Sequence, residues 1–195
     1  MLRSVISANL DAFDPVRSPV PRNPAAVAIV VLNGGGEPGI PIFQRPAGMR
    51  RHAGQMALPG GRLHEGEAVE EGAIRELSEE LGLTAGRSDV VGVLDDFDTV
   101  SGFTITPVVI WSEADVTTVV ASPLEVAQLF VIPLPELRSA VSSARPGQSE
   151  AFSLKLSRVE VFAPTAAILY QFTEVAVNGR SVRVADFYQP PFTHR

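Results

Sequence analysis

Apolar residues recur every four positions at Val69, Ala73, Leu77 and Leu81, with Ile74 alongside. That period predicts one amphipathic helix over 69–81 whose apolar stripe faces a core. Gly82 follows the last periodic residue, where a helix that stops in the left-handed conformation prefers glycine. Upstream, residues 25–32 (AAVAIVVL) are a continuous apolar run closed by asparagine and glycines, the pattern of a buried strand entering a turn. Residues 40–44 predict its neighbour, broken by Pro41, and a loop follows over 45–59. Beyond the helix, 89–94 and 103–111 read as strands around a polar loop at 95–102. After them come a short strand at 125–132, a proline-headed helix at 134–143, a strand at 153–162 and a short helix at 165–171. Asn178-Gly179 between alternating apolar residues predicts a hairpin over about 175–186. The first 24 residues predict a short helix at 3–13 and a proline-punctuated arm lying on a single domain of 25–195.

The polar face of the central helix carries the chemistry. Glu76, Glu79 and Glu80 lie three and four residues apart, so their carboxylates gather on one side. Like charges at that spacing repel, and a cation must offset them. Hard divalent ions such as Mg²⁺ or Mn²⁺ take oxygen ligands, and a rigid helix can supply several. The competing reading is a solvated acidic face, the ordinary fate of a glutamate-rich helix. The surrounding pattern decides against it. Gly61 is followed after five residues by Glu67, and after seven more by Arg75-Glu76-Leu77-x-Glu79-Glu80-x-Gly82-Leu83. At average residue frequencies such a match arises in on the order of one chain in ten million.

This pattern, spanning 61–83, resembles the signature of the Nudix hydrolases at every defined position. The resemblance implies an α/β/α sandwich around a mixed β-sheet and a metal-dependent hydrolysis of a diphosphate linking a nucleoside to another group. It further implies Glu76, Glu79 and Glu80 as metal ligands, with the Gly60 carbonyl as a further one, and Mg²⁺ or Mn²⁺ as the cofactor. Arg75 is expected to hold Glu67 by a charge-assisted hydrogen bond. The proton acceptor is left between Glu79 and Glu125, the latter on a downstream loop that can approach the metals. Two positions depart from the pattern. Ala68 replaces the usual Ser or Thr cap, so no capping box with Glu71 is expected, and Gly72 inside the helix costs roughly 1 kcal/mol.

A second constellation precedes the first. Residues 45–61 (RPAGMRRHAGQMALPGG) concentrate Arg45, Arg50, Arg51 and His52 beside the acidic helix. In an acidic protein, clustered cations next to a metal site suit a polyanionic substrate, because arginine grips phosphate oxygens with a planar fork. A solvent-exposed loop with idle arginines is the alternative. The segment resembles the one preceding the box in coenzyme A diphosphatases of the same family: Arg45, Arg50, Gly54, Pro59, Gly60 and Gly61 match in register. Ser101-Gly102-Phe103, Thr106-Pro107 and Pro123-Leu124-Glu125-Val126 are similar as well. Pro41-Ile42-Phe43, Pro46 and Leu58 depart from it. The resemblance implies cleavage of coenzyme A into 4′-phosphopantetheine and adenosine 3′,5′-bisphosphate. ADP-ribose or another nucleoside diphosphate derivative, and oxidised nucleoside triphosphates, are the rival substrates. A silent binding module is the rival of another class, and it conflicts with the retained carboxylates.

Composition narrows the picture further. A formal net charge of −6 argues against sequence-independent binding of long nucleic acids, which requires phosphate neutralisation. No apolar run approaches the length of a membrane span, and the acidic N-terminal residues do not form a secretory signal, so the cytosol is the expected location. With no cysteine there is no disulfide, thiolate metal site or cysteine nucleophile. The partner expected is a small nucleotide, with a homodimer left open. His64 reads as a surface residue of the box and His194 as uninvolved.

Overall fold

A computed structural model describes residues 1–34, 36–48, 52–147 and 151–190. The order is α1 (Leu2–Asp11), β1 (Ala25–Gly34), β2 (Gly39–Gln44), β3 (Met56–Ala57), β4 (Gly60–Arg62), α2 (Val69–Leu81), β5 (Val90–Val93), β6 (Phe97–Asp98) and β7 (Thr104–Asp115). There follow β8 (Gln128–Pro133), α3 (Leu134–Ser143), β9 (Ser153–Lys155), β10 (Glu160–Phe162) and α4 (Thr165–Phe172). The main sheet is mixed: β1 pairs in parallel with β7 and antiparallel with β2 and β4, while β5 and β6 flank β7 and β8 flanks β2.

Side-chain alternation along β1 divides the core. Ala26, Ala28, Val30 and Leu32 face one way, onto Ala73, Leu77 and Leu81 of α2. Ile29 and Val31 face the other way, onto α1, α3 and α4. The result is a single α/β/α sandwich. Leu77 and Leu81 are fully buried, each contributing roughly 1.5–3 kcal/mol. Among the described residues no helix is long and apolar enough to cross a membrane.

The structure corrects several expectations. Pro41 does not break β2, which runs through it paired to Val131 of β8. Among the described residues β2 pairs with β1 at Leu32 and Gly39, two residues before Pro41. The strand expected at 153–162 is a hairpin, β9 and β10, turned over Leu156–Val159 by Leu156 N–H donating to Val159 at 2.9 Å. The strand expected at 125–132 starts at Gln128 instead, and the polar loop 95–102 contains β6.

The largest correction is the tail. Asn178-Gly179 does not turn a hairpin; it ends a helix. The chain continues from α4 through a π-helical turn over Thr173–Val177, burying Thr173, Val175 and Ala176. Thr173 Oγ1 donates to the Leu169 carbonyl at 2.8 Å, and Asn9 of α1 donates to the Ala176 carbonyl at 3.0 Å. Gly179 then takes φ 66° and its N–H returns to the Val175 carbonyl, the left-handed stop for which glycine is suited. Burial against α1 outweighs the local turn preference.

Asp95 ties this tail to the sheet. Its buried carboxylate accepts from Gln171 Nε2 at 2.6 Å, Arg183 Nη1 at 2.6 Å and Val16 N–H at 2.7 Å. Removing it leaves the buried Gln171 amide with the Val182 carbonyl as its one remaining acceptor among the described residues, while Arg183 stays half in water. Asp95→Ala is therefore expected to cost about 2–4 kcal/mol and lower Tm by roughly 5–15 °C in thermal denaturation. A variant melting within about 2 °C of wild type would contradict this role.

Candidate active site

Helix α2 begins without a side-chain cap at Ala68. One half of a capping box is nevertheless present, because Glu71 accepts from the Ala68 N–H at 3.3 Å. Gly72 is explained by packing: a Cβ there would collide with Leu63 and crowd the Glu67 carboxylate. The helix ends at Gly82, φ 64°, with the Leu81 and Glu80 carbonyls capped by the Val120 and Ser122 N–H groups at 3.0 and 2.8 Å. Those caps hold the 119–127 loop over the end of α2 and so place Glu125.

The helix sits close against β4. Gly60 N–H donates to Glu80 Oε2 at 2.9 Å, and Glu76 lies so close to Gly61 that any side chain there would overlap its carboxylate. Glu80 is 2% exposed, and its nearest cation, Arg45 Nη1, is 3.8 Å away. Burial pushes its pKa up to about 8, and the nearby Glu76 and Glu125 charges add to the rise; the Gly60 N–H and Arg45 oppose it. The carboxylate is under-compensated as it stands.

Arg75 organises the other acids. It grips Glu67 with Nε and Nη2 at 2.8 and 3.0 Å, and donates through Nη1 to Glu76 at 2.7 Å and Glu79 at 3.3 Å. Its Nη2 also donates to the Arg62 carbonyl at 3.1 Å. The fork, with the His64 N–H, holds the Glu67 pKa down to about 2. Because the folded value is depressed, this pair's stabilisation is present above the ordinary carboxylate range and fades as pH falls toward 2.

Among the described residues no three acidic or histidine side chains form a ready cation cage. Glu76 and Glu79 turn to Arg75, and Glu80 turns to Gly60. The donor set nevertheless fits a hard divalent ion. It is all oxygen, it stands on one helix, and its buried member lacks a close counter-charge. Glu79 is half-exposed, and Glu125 is near enough for its charge to act on Glu80.

Facing this edge of β4 is a cleft of ≈ 1090 Å³ lined by Arg45, His52, Gly60, Gly61 and Arg62, with an apolar floor that includes Met56, Ile105 and Ile168. Arg45 and Gln55 pair through their backbones at 2.9 Å, closing the 45–55 loop, and Arg45 Nε is buried without a protein partner. His52 takes a positive φ of 56°, with Nδ1 3.2 Å from Gln55 Oε1. Arg50 and Arg51 lie outside the described residues, as does His194. His64 is exposed, away from the cleft lining.

Sequence reasoning assigned no role to Arg62 or Phe103, whose side chains meet across the cleft with the guanidinium 4.9 Å from the ring centroid. Phe103 belongs to the Ser101-Gly102-Phe103 group that stood out in the sequence. Only the fold brings it to Arg62.

The NUDIX domain family model matches residues 22–153. The chain is 40% identical over 121 residues to the uncharacterized Nudix hydrolase NudL of Cronobacter sakazakii, an alignment covering 62% of each protein. It is 37% identical to NudL of Klebsiella pneumoniae over 66% of this chain and 71% of that one. The chain thus spans less than two thirds of the length of the first of these relatives. In fold it resembles RenU, a Nudix hydrolase from M. smegmatis, with a TM-score of 0.51 at 20% identity over 83% of this chain and 90% of that one. With the helix, its acids and the mixed sheet in place, the family match assigns the chain to the NUDIX domain family.

Proposed function

We propose that the protein is a metal-dependent diphosphatase that cleaves coenzyme A into 4′-phosphopantetheine and adenosine 3′,5′-bisphosphate. The observation carrying this reading is the buried Glu80, bonded to the Gly60 N–H and 3.8 Å from Arg45, two residues that line the cleft together with His52 and Arg62. A bound Mg²⁺ or Mn²⁺, held by Glu76, Glu79, Glu80 and the Gly60 carbonyl, would polarise the diphosphate and acidify a bound water. Arg45 and His52, with Arg50 and Arg51 from the same loop, bind the phosphate oxygens. Arg75 touches no substrate: it holds Glu76 and Glu79 in place and is itself anchored by Glu67.

Glu125 accepts the proton from the attacking water. Glu79 is already shared with Arg75, whereas Glu125 stands on the loop over the end of α2 and its charge reaches Glu80. Glu125→Gln is expected to lower kcat at least tenfold more than Glu79→Gln and to flatten the acidic limb of the rate profile. Equal or reversed losses would return the role to Glu79.

Glu80→Gln places a permanently neutral group where ionisation is costly when no cation is present. The metal-free variant is expected to melt at or above the wild-type Tm, to lose stabilisation by Mg²⁺ or Mn²⁺, and to lose several orders of magnitude in kcat. Retention of more than about a tenth of kcat, only ~1.4 kcal/mol of barrier, contradicts the assignment. Arg75→Ala, acting through its neighbours, is expected to cost about 10–100-fold in metal affinity and turnover. A loss as deep as that of Glu80→Gln would give Arg75 a direct role instead.

Coenzyme A carries a diphosphate and a 3′-phosphate, and the cations of the 45–52 loop match that charge. The test compares kcat/KM for coenzyme A, ADP-ribose and a nucleoside triphosphate, with products separated by chromatography. Coenzyme A is expected to lead, and dephospho-coenzyme A to follow with a higher KM. A tenfold preference for ADP-ribose leaves the diphosphatase and removes the coenzyme A assignment.

A further inference from the structure

Three consecutive residues of β4 face different work. Successive side chains in a strand point to opposite faces, and Gly61 points at Glu76 on α2. The side-chain directions at Gly60 and Arg62 therefore address the other face, and all three residues border the cleft. The Arg62 guanidinium lies over the Phe103 ring at 4.9 Å, and among the described residues it pairs with no carboxylate. Both partners are held by their backbones. The Arg62 carbonyl accepts from Arg75, and Arg62 pairs with Ala25 of β1. Phe103 is fixed to Thr99 on both sides: its N–H donates to Thr99 Oγ1 at 2.9 Å, and its carbonyl accepts from the Thr99 N–H at 2.7 Å.

We infer that Arg62 and Phe103 form the platform on which the nucleobase of the substrate stacks. A guanidinium is planar, weakly hydrated and always charged, so its open face receives an aromatic ring as well as its covered face does. Arg62 is exposed and borders the cleft, and Phe103 beside it is half-buried with its backbone tied to Thr99. The pair stands two residues along a strand from Gly60, roughly 7 Å, so a base on the platform leaves the diphosphate beside Glu80. Every nucleobase has a π-face, so stacking selects nucleosides over base-free diphosphates without choosing sharply among bases.

This inference rests on the diphosphatase reading and deepens it, and a binding experiment separates the two. The full chain with Mg²⁺ is titrated calorimetrically with ADP and with inorganic pyrophosphate. Wild type is expected to bind both, ADP the more tightly. Arg62→Ala and Phe103→Leu are expected to weaken ADP by roughly 10–100-fold, the loss of one stacked base, while the pyrophosphate Kd moves less than about twofold. Arg62→Lys keeps the charge without the plane and is expected to resemble Arg62→Ala. It also guards against a folding defect, since an exposed lysine replaces an exposed arginine. Equal weakening of both ligands, or full ADP affinity in Arg62→Lys, overturns the platform and makes Arg62 a phosphate cation. Unchanged ADP affinity in all three variants overturns it outright. Failure of wild type to bind either ligand overturns the diphosphatase reading and the platform with it.

Discussion

The site depends on how closely α2 can approach β4. Glu80 reaches a backbone N–H and Glu76 lies against a backbone carbon only because the strand offers Gly60 and Gly61. A Cβ on Gly60 would run into the Ala26 carbonyl and Val27, and one on Gly61 into Glu76. The two glycines therefore meet a demand for space, one toward the sheet and one toward the helix. Gly72 serves the same approach from the helix side by leaving room for Leu63 and the Glu67 loop. Its helix-propensity cost is repaid where the helix and the preceding loop must touch.

Close approach creates an electrostatic problem, which the chain divides in two. Arg75 absorbs the exposed part: one guanidinium serves Glu67, Glu76 and Glu79, and its carbonyl contact fixes the end of β4. Glu80 is left on the dry side, where desolvation is large and Arg45 is 3.8 Å away. There the ionised form is disfavoured, and a proton or a cation beside it relieves the cost. The buried acid is thereby set apart from the exposed ones, whose three charges share a single guanidinium.

How much was legible follows from where each signal resides. The bounds of α2 were readable because period, cap glycine and acidic spacing all lie within one short segment, and Leu134–Ser143 was readable from its leading proline for the same reason. The tail was misread because Asn178-Gly179 fits a hairpin turn and a helix stop equally well. Contact with α1, more than 160 residues away in sequence, decides between them. The 153–162 segment was read as one strand because Ser157 and Arg158 are too few to break the pattern, although Ser157 N–H is drawn to Glu136 at 2.6 Å. The Arg62–Phe103 contact joins the end of β4 to the loop just before β7, and no local pattern announces it.

The cleft joins what these segments hold separately. One wall is β4, behind which Glu80 holds the Gly60 N–H; the cationic wall is a loop closed by the Arg45–Gln55 backbone pair, and the floor is the apolar face of β1, β3 and β7. A phosphate meeting the cations alone would be bound without being bent toward reaction, and one meeting the acids alone would be repelled. β4 links the two, giving Gly60 to Glu80, Gly61 to the approach of Glu76, and the Arg62 carbonyl to Arg75. A displacement of β4 along β1 by one residue would exchange its two faces, setting Arg62 against α2 and losing the Gly60 contact. Pairing of Ala25, Ala26 and Val27 with Arg62, Gly61 and Gly60 sets that register. A short edge strand, rather than the helix with the recognisable pattern, thus decides whether the acids and the cations address the same space.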